Sequence, residues 1–299
     1  MKDFLLQAIN TLPPLPKSVI AFNEYLRENG VYMPNPIMLE LLKNNEYDRQ
    51  ILLESVRSPL YNFDPDTPLE RIFFLLGSNG VKNVLVAEFV RDNFKFDILP
   101  RDDKGVKKEN KLKCFCDISP YGLSGEDFLK ECQKEAFFIS SWILEEDKRL
   151  HVILPSLMLL RLGIIIFSQV LIMNNLADDF YDKLAANGFD NILEVEKEFL
   201  DCDHIEFLEF LLTSWNSDPF LLGSVHHLKN PENAPENLRK SAYVYAIVEK
   251  IFTPHNKVSQ INVLSSIDLM QSVATKGVKF NIELFKNKIM REYSHINLE

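Results

Sequence analysis

The chain has 299 residues, with 33 basic against 43 acidic side chains and a formal charge of −10. At 46% hydrophobic and 25% charged residues it has ample apolar material for a core, which excludes disorder and collagen-like architecture. The negative balance argues against nucleic-acid binding, because phosphate contacts need a clustered positive field.

The only basic run, Arg101 to Lys113, is interrupted by Asp102, Asp103 and Glu109 and reads as a solvated loop. Glycine is scarce, at 10 residues against a usual ~7%. Long leucine-rich runs stand where a sandwich or barrel would have short, glycine-punctuated segments. An all-α fold is expected. Four cysteines make no disulfide framework, and Cys114-Phe115-Cys116 lacks zinc-site spacing. Reduced thiols and the lack of a secretory signal point to a cytoplasmic protein.

In chain order, Asn35-Pro36 predicts a helix start with an N-cap residue followed by proline. Thr67-Pro68-Leu69-Glu70 is a capping box opening Ile72–Leu76, with Gly77 where a C-cap would fall. The charged stretch from Asp97 to about Gly122 is the candidate boundary, giving an N-terminal helical subdomain over 1–115 and a second over 116–299. Ser124 followed by Asp127 starts a long helix running to about Glu146. Ser156 to Met173 is long and apolar enough to invite a membrane reading. Arg161 near its middle, with Ser168 and Gln169, favours instead a buried central helix over about Leu157–Met173, with no membrane insertion.

Several of these segments together resemble the HDOD family, the HD-related output domains of bacterial signalling proteins. The resemblance rests on Leu12-Pro13-Pro14-Leu15-Pro16, on Leu52–Tyr61, on Pro68–Gly77, and on Glu194 to Trp215, where His204 stands eleven residues before Trp215. It implies an N-terminal helical subdomain followed by a degenerate HD phosphohydrolase domain. An active HD domain holds divalent cations with a His, an adjacent His-Asp pair and a distant Asp, and the metal activates water against a phosphoester.

Aligned with that pattern, the first His position is Glu131, the His-Asp pair is Leu160-Arg161, and the distant Asp is Glu249, while the family glycine survives as Gly163. Leu160 has no ligating atom. A fixed guanidinium at ~5 Å would repel a divalent ion by on the order of 6 kcal/mol at an effective dielectric of ~20. The resemblance therefore implies no catalytic residues and no resident cofactor. Arg161, in an apolar helix, must either pair with Glu131 and Glu249 or snorkel to the surface.

His204, His226 and His227 remain as residual metal ligands, against the plainer reading of His204 as a core histidine on one face with Leu208, Leu211 and Trp215. His226-His227 falls near a helix end, where an imidazolium meets a favourable dipole. The expected function is a non-catalytic signalling module acting through a protein partner or small signal. The alternative is a divergent metal-dependent phosphohydrolase acting on a nucleotide or cyclic nucleotide. A partner site is expected at the subdomain junction, lined by Pro13–Pro16, Arg57–Tyr61 and the helix from Ser124. Arg57, which replaces a neutral amide of the family, is either a helix-terminal charge or a contact for an acidic partner. Oligomeric state is not legible in the sequence.

Overall fold

A computed structural model describes residues 15–29, 33–57, 63–64, 66–94, 117–153, 157, 159–215, 217, 219–253 and 258–298. The expected all-α class holds: among these residues there are helices and turns and no strand. The first helices are α1 (Lys17–Asn29), α2 (Asn35–Lys43), α3 (Glu46–Val56) and α4 (Leu69–Phe94). The long α5 (Gly125–Glu146), α6 (Leu162–Met173) and α7 (Ala177–Ala186) follow. The chain then forms α8 (Ile192–Leu200), α9 (His204–Ser214), α10 (Pro219–His226), α11 (Glu236–Ile251), α12 (Gln260–Ala274) and α13 (Ile282–Glu292). Leu12–Pro14, the 58–62 stretch and the whole of 95–116, including the basic run and the Cys114–Cys116 pair, lie outside the described residues.

The predicted starts hold with small shifts. Ser124 caps α5 as expected, with its Oγ accepting from the Asp127 backbone N–H at 3.1 Å. Asn35 is not the N-cap: Pro34 takes that position, and the Asn35 amide donates to the Phe73 carbonyl at 3.0 Å, tying α2 to α4. Gly77 ends the first of two helices that run together as α4, as its expected C-cap position implies. It adopts φ 68°, a left-handed conformation that suits glycine, and marks a kink within the helical run. The central buried helix begins at Leu162 rather than near Leu157, so Arg161 immediately precedes it instead of sitting in its middle. That shift matters, because a turn lets the guanidinium leave the helix axis.

The described residues cluster into two compact units, divided differently from a single cut at 115. Among the described residues, one comprises those of 15–133 and 164–181, the other those of 134–163 and 182–298. In the first, Lys82 is buried with its ammonium 4.9 Å from the Phe22 ring centre, and the buried face of α3 places Asp48 to accept from the Ser18 N–H at 2.9 Å. The polar residues of α6 are accounted for there too: Ser168 and Gln169 both donate to the Asp117 carbonyl, at 2.5 and 3.3 Å. No helix among the described residues is long and apolar enough to cross a membrane.

In the second unit, Phe138 and Trp142 from α5 form an aromatic cluster with Phe252 and Phe285, with ring centres 5.1–5.8 Å apart. Edge-to-face pairs such as Trp142–Phe285 add to the burial of large apolar surfaces. Through this cluster α5 and the end of α11 come side by side. Carboxylates one helical turn from those aromatics are thereby carried into the interior.

Candidate functional site

Arg161 is buried, with 4% of its side chain exposed, so it does not snorkel. Its Nε and Nη2 donate to the two oxygens of Glu135 on α5, each at 3.1 Å, in a fork-to-fork pair. Nη1 donates to Glu249 Oε1 on α11 at 2.8 Å. Nη2 also reaches the Phe252 carbonyl, at the C-cap of α11. Terminal carbonyls carry the negative end of the helix dipole and lack partners inside the helix, so a cation there satisfies both needs.

Of the two expected partners, Glu249 is correct. Glu131 is not Arg161's ion-pair partner; Glu135, one turn further along α5, takes that role. Residues four apart share a helix face, so the expected face is right and the expected turn is not.

Beyond Glu249 the cluster continues. His204, the first residue of α9, is buried and aligned with Glu196 of α8, its Nδ1 2.8 and 3.0 Å from the two carboxylate oxygens. The His204 backbone N–H also donates to Glu196, at 2.9 Å. His204 Nε2 faces Glu249 Oε2 at 3.9 Å, beyond hydrogen-bond reach. Burial works against a charged ring, but the Glu196 carboxylate, with Glu249 behind it, outweighs burial and raises the His204 pKa. Glu249 is likewise opposed by burial, yet the Arg161 charge and the His204 imidazole hold its pKa below the ordinary range. The result is an alternating row, Glu135–Arg161–Glu249–His204–Glu196, in which each cation lies between two carboxylates. Buried charges persist only when paired in this way.

The N-terminus of α9 is fixed by a capping box. Asp203 accepts from the N–H groups of Ile205 and Glu206, at 3.1 and 2.9 Å, and Glu206 reaches back to the Asp203 N–H. The fully buried Asp203 also meets Lys229 and, at 3.3 Å, Lys197. Desolvation of Asp203 is outweighed by these lysines and the cap, which lower its pKa.

The histidines do not gather. His226, at the end of α10, is exposed and bonds Glu209 at 2.7 Å, and His227 stacks edge-on against it. Among the described residues no group of three or more His, Cys, Asp or Glu is placed to hold a metal ion. Leu160 is fully buried without a ligating atom, and the Glu135 and Glu249 carboxylates beside it in the expected metal pocket are already engaged by the Arg161 guanidinium. That donor set does not fit the metal. Burial, with the Glu206 and Asp203 carboxylates, pushes the Cys202 thiol up to about 12, which favours the protonated thiol over the thiolate. Arg57 is the exposed C-cap residue of α3, the helix-terminal position expected for it.

Next to this row lies a cavity of about 750 Å³ within the same unit, with His204, Glu249, Thr253 and Tyr243 in its wall. Sequence reasoning misses the cavity, Glu135 and Glu196. The Asp203-x-x-Glu206 capping signal is readable in the sequence and marks where α9 begins.

The buried row Glu135–Arg161–Glu249–His204–Glu196 sits on an all-α frame. The chain aligns with the crystal structure of a virulence factor from Campylobacter jejuni subsp. jejuni at 34% identity, over 99% of both chains, with a TM-score of 0.60. An HDOD domain protein of unknown function from Geobacter sulfurreducens shares the fold, at 14% identity over 98% of this chain and 94% of that one, with a TM-score of 0.54. The chain belongs to one family with the Campylobacter protein, and its all-α fold is that of the HDOD domain protein. No family model matches it, and no curated protein does.

Proposed function

We propose that the protein is a non-catalytic regulatory module that holds no resident metal and acts by binding a protein partner or a small signal. One observation carries the reading: the Arg161 guanidinium is hydrogen-bonded to Glu135 and Glu249, and on the HD resemblance it stands in the place of the cation. A fixed positive charge cannot lower the pKa of a bound water by coordination, which is the metal's contribution to phosphoester hydrolysis. Such a charge does stiffen the centre of the unit, and a stiff centre suits a surface that presents a constant shape to a partner.

The test is direct. Elemental analysis of the purified protein is followed by phosphodiester hydrolysis assays on nucleotide and cyclic-nucleotide substrates with added Mn²⁺. The expected outcome is substoichiometric metal and no turnover above buffer. Stoichiometric metal with turnover that His226→Ala abolishes would replace this reading with the divergent phosphohydrolase.

A further inference from the structure

The cavity beside the buried row has the size of a small-molecule site, about 750 Å³ against the ~300–1,000 Å³ usual for such pockets. Its wall mixes polar groups with an apolar part that includes Ile192, Leu228, Tyr243, Ala246, Leu269 and Val273. The polar part of that wall is unusual. His204 is 98% buried, and its ring is oriented by the Nδ1 contact to Glu196. Its opposite edge, Nε2, turns toward Glu249, a cavity-lining residue, and has no hydrogen-bond partner. The buried Thr253 hydroxyl, also in the wall, has none either. Glu249 commits Oε1 to Arg161, while Oε2 stands 3.9 Å from His204 Nε2.

A donor and an acceptor at that separation are too far apart to bond each other. They are well placed to share one oxygen, which would accept from Nε2–H and donate to the carboxylate at ordinary distances of about 2.8 Å. A hydroxyl group does both at once; a carboxylate or a fully ionised phosphate lacks the proton for Glu249, and an ammonium lacks the lone pair for His204. At the rim, Asp190, Glu194 and Glu232 offset Lys229, Lys250 and Lys276, so no net charge is favoured. We propose that this cavity is a binding site for an uncharged, apolar-bodied molecule that presents a hydroxyl group to His204 Nε2 and Glu249 Oε2. The inference deepens the regulatory reading, on which it rests, by naming the chemistry of a signal.

Phenol is the probe, with toluene as the same body without the hydroxyl and benzoate as its anionic counterpart. Each is titrated into the full chain in EDTA, by calorimetry and by ¹⁵N NMR of the His204 imidazole. Phenol should bind at least about tenfold more tightly than either control, the size of effect expected of a hydrogen bond to a charged group. It should also shift the Nε2 resonance while sparing those of His226 and His227. Ala246→Trp, or Leu269→Trp if the first variant unfolds, should remove phenol binding by filling the wall. Equal affinity for phenol and toluene, an unmoved Nε2 signal, or undiminished binding by a folded tryptophan variant would overturn the site. Because EDTA excludes metal chemistry, this result stands apart from the turnover assay: hydrolysis with Mn²⁺ would sink the regulatory reading and leave the hydroxyl preference measurable.

Discussion

Gly163 lies so close to His204 that a β-carbon built on it would stand 2.6 Å from the His204 Cβ and 2.9 Å from its carbonyl oxygen. The start of α6 and the start of α9 therefore touch backbone to backbone, which only a residue without a side chain permits. This is a physical reason for the glycine that follows Leu160-Arg161. The same contact sets the distance between Arg161 and His204, the two cations of the buried row.

Gly163→Ala should consequently act on the row from outside it. Rigid backbone leaves the new methyl no room, so a loss of about 1–3 kcal/mol is expected, the range for overpacking a filled interior. Urea denaturation measures it, and the His204 ring resonances should move with it. An alanine variant of unchanged midpoint would contradict the close approach.

Arg161→Leu leaves Glu135 and Glu249 buried without their cation. Breaking a buried pair from one side costs about 3–5 kcal/mol. Arg161→Lys should recover little, since an ammonium cannot form the forked pair with Glu135. Adding Glu135→Leu and Glu249→Gln to Arg161→Leu should restore much of the loss, because the stranded charges go with their partner. Chemical denaturation of the four proteins reads the effect, and full stability of Arg161→Leu alone would show the pairing to be energetically idle.

Much of this arrangement is legible in the amino-acid sequence. An arginine in an apolar run must find carboxylates, and the HD resemblance, which aligns its distant Asp with Glu249, names that partner despite its distance along the chain. The same resemblance points to Glu131 in place of Glu135, one turn away on the same face of α5, where a weak alignment can slip unnoticed. Glu196 is invisible for a related reason. It stands between Glu194 and Glu198 in an acidic amphipathic segment, and only the folded chain distinguishes the carboxylate that faces inward. The placement of Arg161 before α6 rather than within it is likewise hidden, because an unbroken apolar run carries no internal sign of where a turn ends and a helix begins.

The row also predicts a pH profile. His204 has a folded pKa raised to about 10 by Glu196 and Glu249 against the opposing effect of burial. A raised pKa means its stabilisation is fully present below the ordinary imidazole value of about 6.5 and is lost as pH rises toward 10. Glu249 has a lowered pKa, so its stabilisation is present above the ordinary carboxylate value and lost as pH falls. Unfolding midpoints should therefore peak in mildly acidic solution and decline on both sides. His204→Asn should flatten the alkaline limb relative to the unchanged protein. An identical slope above pH 7 in both would mean that the ring is neutral in the folded state.

Asp203 separates two contributions that usually come together. One is geometric: a side-chain oxygen accepts from Ile205 and Glu206 and fixes the first turn of α9, and with it His204. The other is electrostatic, since the same buried carboxylate faces Lys229 and Lys197. Asn keeps a capping oxygen but no charge, whereas Ala keeps neither. Losing an N-cap costs about 0.5–2 kcal/mol, so Asp203→Ala should be less stable than Asp203→Asn by roughly that amount at neutral pH. The stability difference between Asp203→Asn and the unchanged protein should shrink with added salt, because Lys197 and Lys229 are partly exposed and open to screening. The gap between Asn and Ala should not, because a hydrogen bond at a helix terminus is local. Denaturation at low and high ionic strength distinguishes the two, and equal stability of Asn and Ala would show that charge alone holds the start of α9.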